Sequence, residues 1–161
     1  GINIIKSQKE ITTDDYDKIQ RINLEAPYRI SQKLIPKMAN NGEGKVVNIA
    51  SIWSVISKIH RSLYSTTKTG LLGMTRSTAL EWASKNILVN SISPGFVKTE
   101  MTNEFLGSLG EQASQDVINR HPLGIGMPED VANLIHFLIS DNSRWITGQS
   151  LVIDGGFSIQ G

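Results

Sequence analysis

The spacing of apolar residues predicts a long helix near the start of the chain. Residues 11–41 follow a helical pattern that begins at a cap formed by Thr12 or Thr13, with acidic residues in the first turn, where the helix dipole favours negative charge. Pro27 and Pro36 lie within this pattern and are expected to bend or break the helix.

Three short apolar runs rich in β-branched residues predict strands at 45–51, 87–95 and 150–156. They lack strict alternation, which favours strands covered on both faces, as in a parallel sheet. Two further helices are predicted, at 62–85 and at 127–141, the second with a proline near its start, where a missing N–H costs nothing.

The order strand, helix, strand, helix, strand is typical of an α/β fold with a parallel sheet and crossover helices. The polar segment 99–119 has weak helical signals interrupted by Gly107 and Gly110, and we expect a mobile, flap-like segment there. Three parallel strands alone would leave both sheet edges unpaired, so a part of the domain is expected to be missing.

Composition excludes several classes of function. The 161 residues include 16 Lys and Arg and 15 Asp and Glu, a net charge of +1, which gives no electrostatic signal for nucleic acid or for an anionic membrane. The absence of cysteine excludes a disulfide scaffold and a thiolate nucleophile, and the three histidines show no metal-ligand spacing. Without a leader-like start or a spanning apolar segment, we expect a cytoplasmic protein with no membrane or metal.

The helix predicted at 62–85 carries polar chemistry on its apolar face. Steps of three and four place six residues on that face, namely Tyr64, Lys68, Leu71, Thr75, Ala79 and Trp82. A positive charge about 4 Å from a phenol is worth roughly 4 kcal/mol at an effective dielectric constant near 20, or about 3 pKa units toward the phenolate. Lys68 can therefore make Tyr64 a usable acid or base, although such pairs also occur where the tyrosine is half-buried and the lysine extends to water.

Ser51 is a candidate partner of this tyrosine. It ends the first predicted strand, thirteen residues before Tyr64, and active sites of open parallel sheets lie beyond the carboxyl ends of the strands. Its hydroxyl could polarise a substrate oxygen while Tyr64 donates the proton. Ser54 and Ser57 in the same segment remain alternatives.

The segment "SPGFVKTEMT" follows the second predicted strand at the same sheet edge. Its Pro-Gly pair allows a sharp turn, after which free backbone groups could bind an amide. Thr99 offers a hydroxyl to a phosphate near a helix start.

Together these segments resemble the short-chain dehydrogenase/reductase family. Ser51 and "YSTTK" match its Ser and Tyr-x-x-x-Lys signature, and "RINLEAP" resembles the segment that carries its fourth catalytic residue, here Asn23. "SPGFVKTEM" resembles the loop that holds the nicotinamide half of the cofactor, and "ITGQSLVIDGGF" resembles the C-terminal strand and turn. Within the family, the likeness is to the group containing 3-oxoacyl-carrier-protein reductases and related sugar-alcohol and steroid dehydrogenases.

The resemblance implies hydride transfer between NAD(H) or NADP(H) and a small-molecule carbonyl or secondary alcohol. It implies that Ser51 orients the substrate oxygen and that Tyr64 is the general acid or base. Lys68 would lower the pKa of the tyrosine and bind the nicotinamide ribose together with it, and Asn23 would hold a water that links Lys68 to solvent.

The same resemblance implies a set of cofactor contacts after the second strand. Val97 and Thr99, beside Pro94 and Gly95, would contact the nicotinamide carboxamide and a nearby phosphate. It also implies a homo-oligomer, a dimer or tetramer built on the helices at 13–40 and 62–85.

The opening strand-helix units of the family, with their glycine-rich phosphate loop, have no counterpart in this sequence. We therefore expect residues 1–161 to form a single, incomplete Rossmann-like catalytic domain, the C-terminal part of a doubly wound parallel sheet, from a longer enzyme. The alternative is a truncated, catalytically inactive oligomerisation module of the same fold.

Overall fold

The computed structural model describes residues 1–160 and contains a three-stranded parallel sheet in the order β1-β2-β3. The strands are β1 (Gly44–Ile49), β2 (Ile87–Pro94) and β3 (Ser150–Ile153). Val46 pairs with Val89, and Ser91 pairs with Ser150. The predicted α/β fold with a parallel sheet is confirmed.

Six α-helices accompany the sheet: α1 (Thr13–Gln20), α2 (Ala26–Asn40), α3 (Ser62–Trp82), α4 (Glu100–Ser108), α5 (Glu111–Asn119) and α6 (Pro128–Ile139). The helices predicted at 62–85 and 127–141 are confirmed as α3 and α6, each slightly shorter than expected. Of the two predicted caps on α1, Thr12 is the cap, because its hydroxyl accepts a hydrogen bond from the Asp15 N–H.

The prolines do not break the first helix where the sequence suggested. Pro27 lies in the first turn of α2, and Pro36 lies inside it without ending it. The irregularity lies ahead of Pro27, where residues 21–25 form a π-helical turn between α1 and α2. Since proline has no N–H to donate to the carbonyl of Asn23, four residues earlier, the regular bonding pattern cannot continue there.

Residues 99–119, predicted as a flap-like segment with weak helical signals, form α4 and α5, and the mobility of this segment stays a prediction. Gly107 lies inside α4 with open space around it. Gly110 separates the two helices with a φ of 78°, a conformation that glycine adopts without steric cost. Two short helices with few apolar residues gave too weak a periodic signal to be recognised.

Helices cover both faces of the sheet. On one face, Ile35 of α2 and Ala79 of α3 pack with Ile87 and Val89 of β2 in a buried cluster. Neighbouring residues of a strand point to opposite faces, so Lys45 points away from this cluster. Its Nζ lies 2.6 Å from a carboxylate oxygen of Asp141, just after α6, which places α6 on the other face. Helices therefore lie on both faces of the parallel sheet, which is the doubly wound arrangement that the sequence predicted.

Burial differs among the strands. The central strand β2 is almost entirely buried, as predicted, but β1 and β3 are only partly covered. Ile49 is 45% exposed and Val152 is 42% exposed, so within residues 1–160 the outer strands are covered less completely than predicted. Within residues 1–160, β1 pairs only with β2, and its other edge has no strand beside it. Among the helices of these residues, none combines the length and the apolar character needed to cross a bilayer.

Candidate active site

A cavity lies beyond the carboxyl ends of β1 and β2, the sheet edge that the sequence indicated. Ser51, Tyr64 and Gly95 line it together. The remaining walls come from the turn after β1, from the N-terminal segment and from α4. Three segments far apart in sequence therefore converge on one space.

Ser51 lies just after the carboxyl end of β1. Its backbone is extended, with a φ of −170°, and the residue caps the short turn Ile52–Ser54. Its Oγ accepts a hydrogen bond from the Trp53 N–H at 3.2 Å, which leaves the serine hydrogen available for donation into the cavity. Ser51 is 7% exposed.

The alternative serines have other surroundings. The Ser54 hydroxyl donates to the Ser51 carbonyl and lies 3.1 Å from the Ser93 hydroxyl. Ser57 is exposed. Of the three serines, only Ser51 lines the cavity.

The inward face of α3 has the composition that the sequence predicted. Four of its residues are buried and two are half-buried, and the buried set includes the lysine: Lys68, Leu71, Thr75 and Ala79, with Tyr64 and Trp82 at intermediate exposure. The Lys68 Nζ donates a 2.8 Å hydrogen bond to the Ile49 carbonyl at the end of β1 and lies 5.8 Å from the centre of the Tyr64 ring. Burial lowers the pKa of Lys68.

The expected pKa shift of Tyr64 has the opposite sign in this structure. Burial raises the pKa of Tyr64, because a phenolate is costly to remove from water. The Ser51 side chain and the charge of Arg61 oppose this shift but do not overcome it. Arg61, three residues before Tyr64, is thus a cation near the phenol that the sequence did not suggest, and the role of Lys68 toward Tyr64 stays a prediction.

Asn23 is almost fully buried, at 2% exposure, within the π-helical turn. Its side-chain amide makes two 2.8 Å hydrogen bonds to Ile2, accepting from the Ile2 N–H and donating to the Ile2 carbonyl. A weaker contact of 3.4 Å joins its Nδ2 to the Thr67 hydroxyl. The side chain thus ties the N-terminal segment to α3.

The loop after β2 places the expected cofactor residues in different surroundings. Pro94 ends β2 opposite Ile153. Gly95 lies so close to β3 that a Cβ there would come within 2.8 Å of the Asp154 Cα. Val97 forms a bridge with Gly126 outside the cavity, and the Thr99 hydroxyl caps α4. Only Gly95 of the four lines the cavity around Ser51 and Tyr64.

Several lining residues were not anticipated from the sequence. The guanidinium carbon of Arg61 lies 5.7 Å from the Trp53 ring centre and 5.1 Å from that of Phe105. The Phe96 ring stacks on Phe105 at 5.8 Å. Arg61 could have been found from its position three residues before Tyr64, on the same side of the helix. Phe105 could not, since α4 was not recognised.

The cavity holds no cluster suited to a metal. Among residues 1–160 no group of three or more His, Asp or Glu side chains could bind one.

A family model and several known proteins are similar to this chain. A family model described as "Enoyl-(Acyl carrier protein) reductase" matches residues 2–158. A 3-oxoacyl-[acyl-carrier-protein] reductase of Rickettsia felis is 40% identical over 144 residues, which cover 89% of this chain and 58% of the relative. This chain therefore spans less than two thirds of the length of that curated relative.

Solved structures give the same result. A 4-hydroxyisoleucine dehydrogenase complexed with NADH superposes with a TM-score of 0.93 at 35% identity, over 100% of this chain and 66% of the other. ElxO with NADP bound superposes with a TM-score of 0.90 at 32% identity, over 99% of this chain and 65% of the other. With the ordered motifs, the parallel sheet and these matches together, the chain belongs to the short-chain dehydrogenase/reductase family.

Proposed function

We propose that the natural protein containing this chain interconverts a carbonyl compound and a secondary alcohol with NAD(H) or NADP(H). The observation that carries this proposal is that Ser51 and Tyr64 line one cavity, with the amine of Lys68 buried behind the tyrosine. Related structures that hold NADH or NADP support the choice of cofactor. We further propose that residues 1–161 contribute an incomplete catalytic domain.

Two hydroxyls, those of Ser51 and Tyr64, would donate hydrogen bonds to the carbonyl oxygen of the substrate. Ser51 already accepts a hydrogen bond from Trp53, so its own hydrogen can be donated to the substrate carbonyl. Tyr64 lines the same cavity and would give its phenol proton to that oxygen during reduction. A bound nicotinamide would supply or accept the hydride.

Behind the phenol, Lys68 would place a positive charge near Tyr64, and Asn23 would hold a water that links Lys68 to solvent. Both side-chain groups of Asn23 are engaged by Ile2, so any water it holds toward Lys68 would bind its backbone carbonyl. Pro27 has no N–H to compete for that carbonyl. This assigns the proposed water contact to the main chain of the π-helical turn.

We propose that the described residues hold one half of the cofactor. Lys68 and Tyr64 would hold the nicotinamide ribose, and the loop with Pro94, Gly95, Val97 and Thr99 would hold the carboxamide and a phosphate. Within residues 1–160, the two segments that lead from a strand into an α-helix, 50–61 and 95–99, contain at most one glycine, so neither offers a glycine-rich cradle for the pyrophosphate.

The experiment uses the natural protein at its full length. Tyr64→Phe removes the proton donor and should lower carbonyl-dependent NAD(P)H oxidation by about 10²- to 10⁴-fold. Tyr28→Phe is the matched control, since Tyr28 is 51% exposed on α2. Unchanged turnover in Tyr64→Phe, with unchanged thermal stability, would refute the proposal.

The second candidate is an inactive oligomerisation module. It is favoured by the missing pyrophosphate cradle and by exposed apolar side chains on α2 and α3, among them Ile30 and Leu80 at 57% and 84% exposure. A natural mass near the 17.7 kDa of this chain, with no NAD(P) binding, would support the module. A larger mass with cofactor binding would support the enzyme. The dimer or tetramer and the cytoplasmic location remain predictions for either candidate.

A further inference from the structure

Arg61, just before α3, is a buried cation without a counter-charge. The residue is 3% exposed, and its Nη1 has no hydrogen-bond partner. No salt bridge within residues 1–160 includes it. Its contacts are the aromatic faces of Trp53 and Phe105. Cation–π contacts offset only part of the cost of burying a guanidinium, so Arg61 still lacks a hydrogen-bonded counter-charge among the described residues.

The unpaired group lies in the cavity that holds Ser51 and Tyr64. Arg61 is the only charged side chain that lines this space within the described residues. A second unpaired buried atom, Oδ1 of Asn3, belongs to the same lining and, as an acceptor, could bind a donor group of a substrate but not its carboxylate. Aromatic walls lower the local dielectric constant, which strengthens any ion pair formed inside.

The chemistry of the cavity selects the anion. A guanidinium offers parallel N–H donors that match the two oxygens of a carboxylate. With one cation and no second positive side chain in the lining, the site balances a single negative charge, which favours a monocarboxylate over a phosphate dianion. Because Arg61 and Tyr64 line the same cavity, the anion would lie on the same substrate molecule as the reacting carbonyl.

We propose that Arg61 binds a carboxylate of the substrate, so that the reaction interconverts a short oxo acid and the corresponding hydroxy acid. This rests on the proposed function and adds a substrate class to it. The names of the related proteins do not decide the class, since they include both an acyl-carrier-protein reductase and a 4-hydroxyisoleucine dehydrogenase.

The kinetic test compares acids with their methyl esters, which differ in charge at nearly constant shape. Pyruvate, acetoacetate and 4-oxopentanoate are each assayed against the methyl ester with the full-length natural protein. For the best acid, kcat/KM should exceed that of its ester by about tenfold or more, as expected for a hydrogen-bonded charge pair. Arg61→Met should lower kcat/KM for the acid about 10- to 100-fold more than it lowers that for the ester, because only the acid loses a charged hydrogen bond.

Two further variants separate charge from packing. Arg61→Lys keeps the positive charge but lacks the parallel N–H donors of the guanidinium, so it should retain part of the preference for the acid. Arg76→Met is the control, because Arg76 is exposed on the same helix and outside the cavity lining. If Arg61→Met fails to fold, Arg61→Lys and the acid-to-ester ratio of the wild type still decide.

A binding measurement is independent of turnover. The melting temperature should rise with the concentration of 4-oxopentanoate in the wild type and in Arg76→Met, but not in Arg61→Met. Reduction of esters or neutral ketones without a preference for acids would overturn this inference and leave the proposed function intact. If no carbonyl compound is reduced at all, the proposed function fails, and the thermal shift alone decides whether Arg61 binds a carboxylate.

Discussion

The clearest structural prediction concerns Asn23, whose amide ties the N-terminal segment to the rest of the protein. The perturbation is Asn23→Ala. It removes the two 2.8 Å hydrogen bonds to the backbone of Ile2 and leaves both Ile2 groups without that partner in a partly buried place. The resemblance to the family suggested only a water-holding role, so this stabilising role is specific to the structure.

The expected loss follows from the number of bonds. A neutral hydrogen bond contributes a net ~1 kcal/mol, so two bonds account for about 2 kcal/mol. Incomplete solvation of the Ile2 peptide groups adds up to about 1 kcal/mol. We expect Asn23→Ala to lower the free energy of unfolding by about 2–3 kcal/mol, which corresponds to roughly 5–10 °C in melting temperature for a domain of this size.

The assay is urea unfolding followed by tryptophan fluorescence, with the m value compared between variants so that a changed unfolded state is recognised. Asn119→Ala is the control, since Asn119 is exposed and should change stability by less than about 0.5 kcal/mol. Hydrogen exchange adds a local measurement, because the amide of Ile2 should lose protection in Asn23→Ala and keep it in Asn119→Ala.

Asn23→Asp tests the contribution of one atom, the side-chain nitrogen of Asn23. It keeps an oxygen to accept from the Ile2 N–H but places a second oxygen against the Ile2 carbonyl, so it should destabilise at least as much as the alanine variant near neutral pH. A loss below about 0.5 kcal/mol in both variants, with protection of the Ile2 amide unchanged, would refute the assigned role.

Two further predictions concern the ends of the strands. Gly95→Ala would place a Cβ 2.8 Å from both Cα and Cβ of Asp154, so thermal unfolding should show a loss of about 1–3 kcal/mol. For Lys68, burial lowers the folded-state pKa below the ordinary value of 10.5. Between those two pKa values the unfolded state binds more protons, so the free energy of unfolding should rise with pH across that window, measured by urea unfolding.

Each of these has a matched control. Gly107→Ala lies in α4 with no atom within 4 Å of the new Cβ, so it should leave stability unchanged or raise it by up to ~1 kcal/mol; equal losses at Gly107 and Gly95 would contradict the packing argument. Lys68→Met should remove the rise of stability with pH. If the rise persists in that variant, the titration belongs to another group.

Part of the candidate site was predictable from the local spacing of residues in the sequence. The spacing along α3 placed Tyr64 and Lys68 on one face with Leu71, and the position of Ser51 after an apolar run placed it at the same sheet edge. These inferences needed only the periods of helix and strand, which neighbouring residues encode. Gly95 likewise followed from its position directly after a strand.

The rest depended on contacts between distant segments. The partner of the Asn23 amide is Ile2, twenty-one residues away, and the aromatic cover of Arg61 includes Phe105, in a helix with too weak a pattern to recognise. No local rule supplies such partners, because they are chosen by how the helices pack on the sheet.

The amino-acid sequence by itself determined the three strands, the helices α3 and α6, and the buried face of α3, because propensity and periodicity are local properties. Only the tertiary structure decided the electrostatic surroundings of Tyr64 and Arg61. Burial raises the pKa of Tyr64, against the shift that its spacing from Lys68 suggested, and it isolates Arg61 within the same cavity. The physical reason is that desolvation depends on everything packed around a group, whereas spacing along a helix determines only its nearest neighbours.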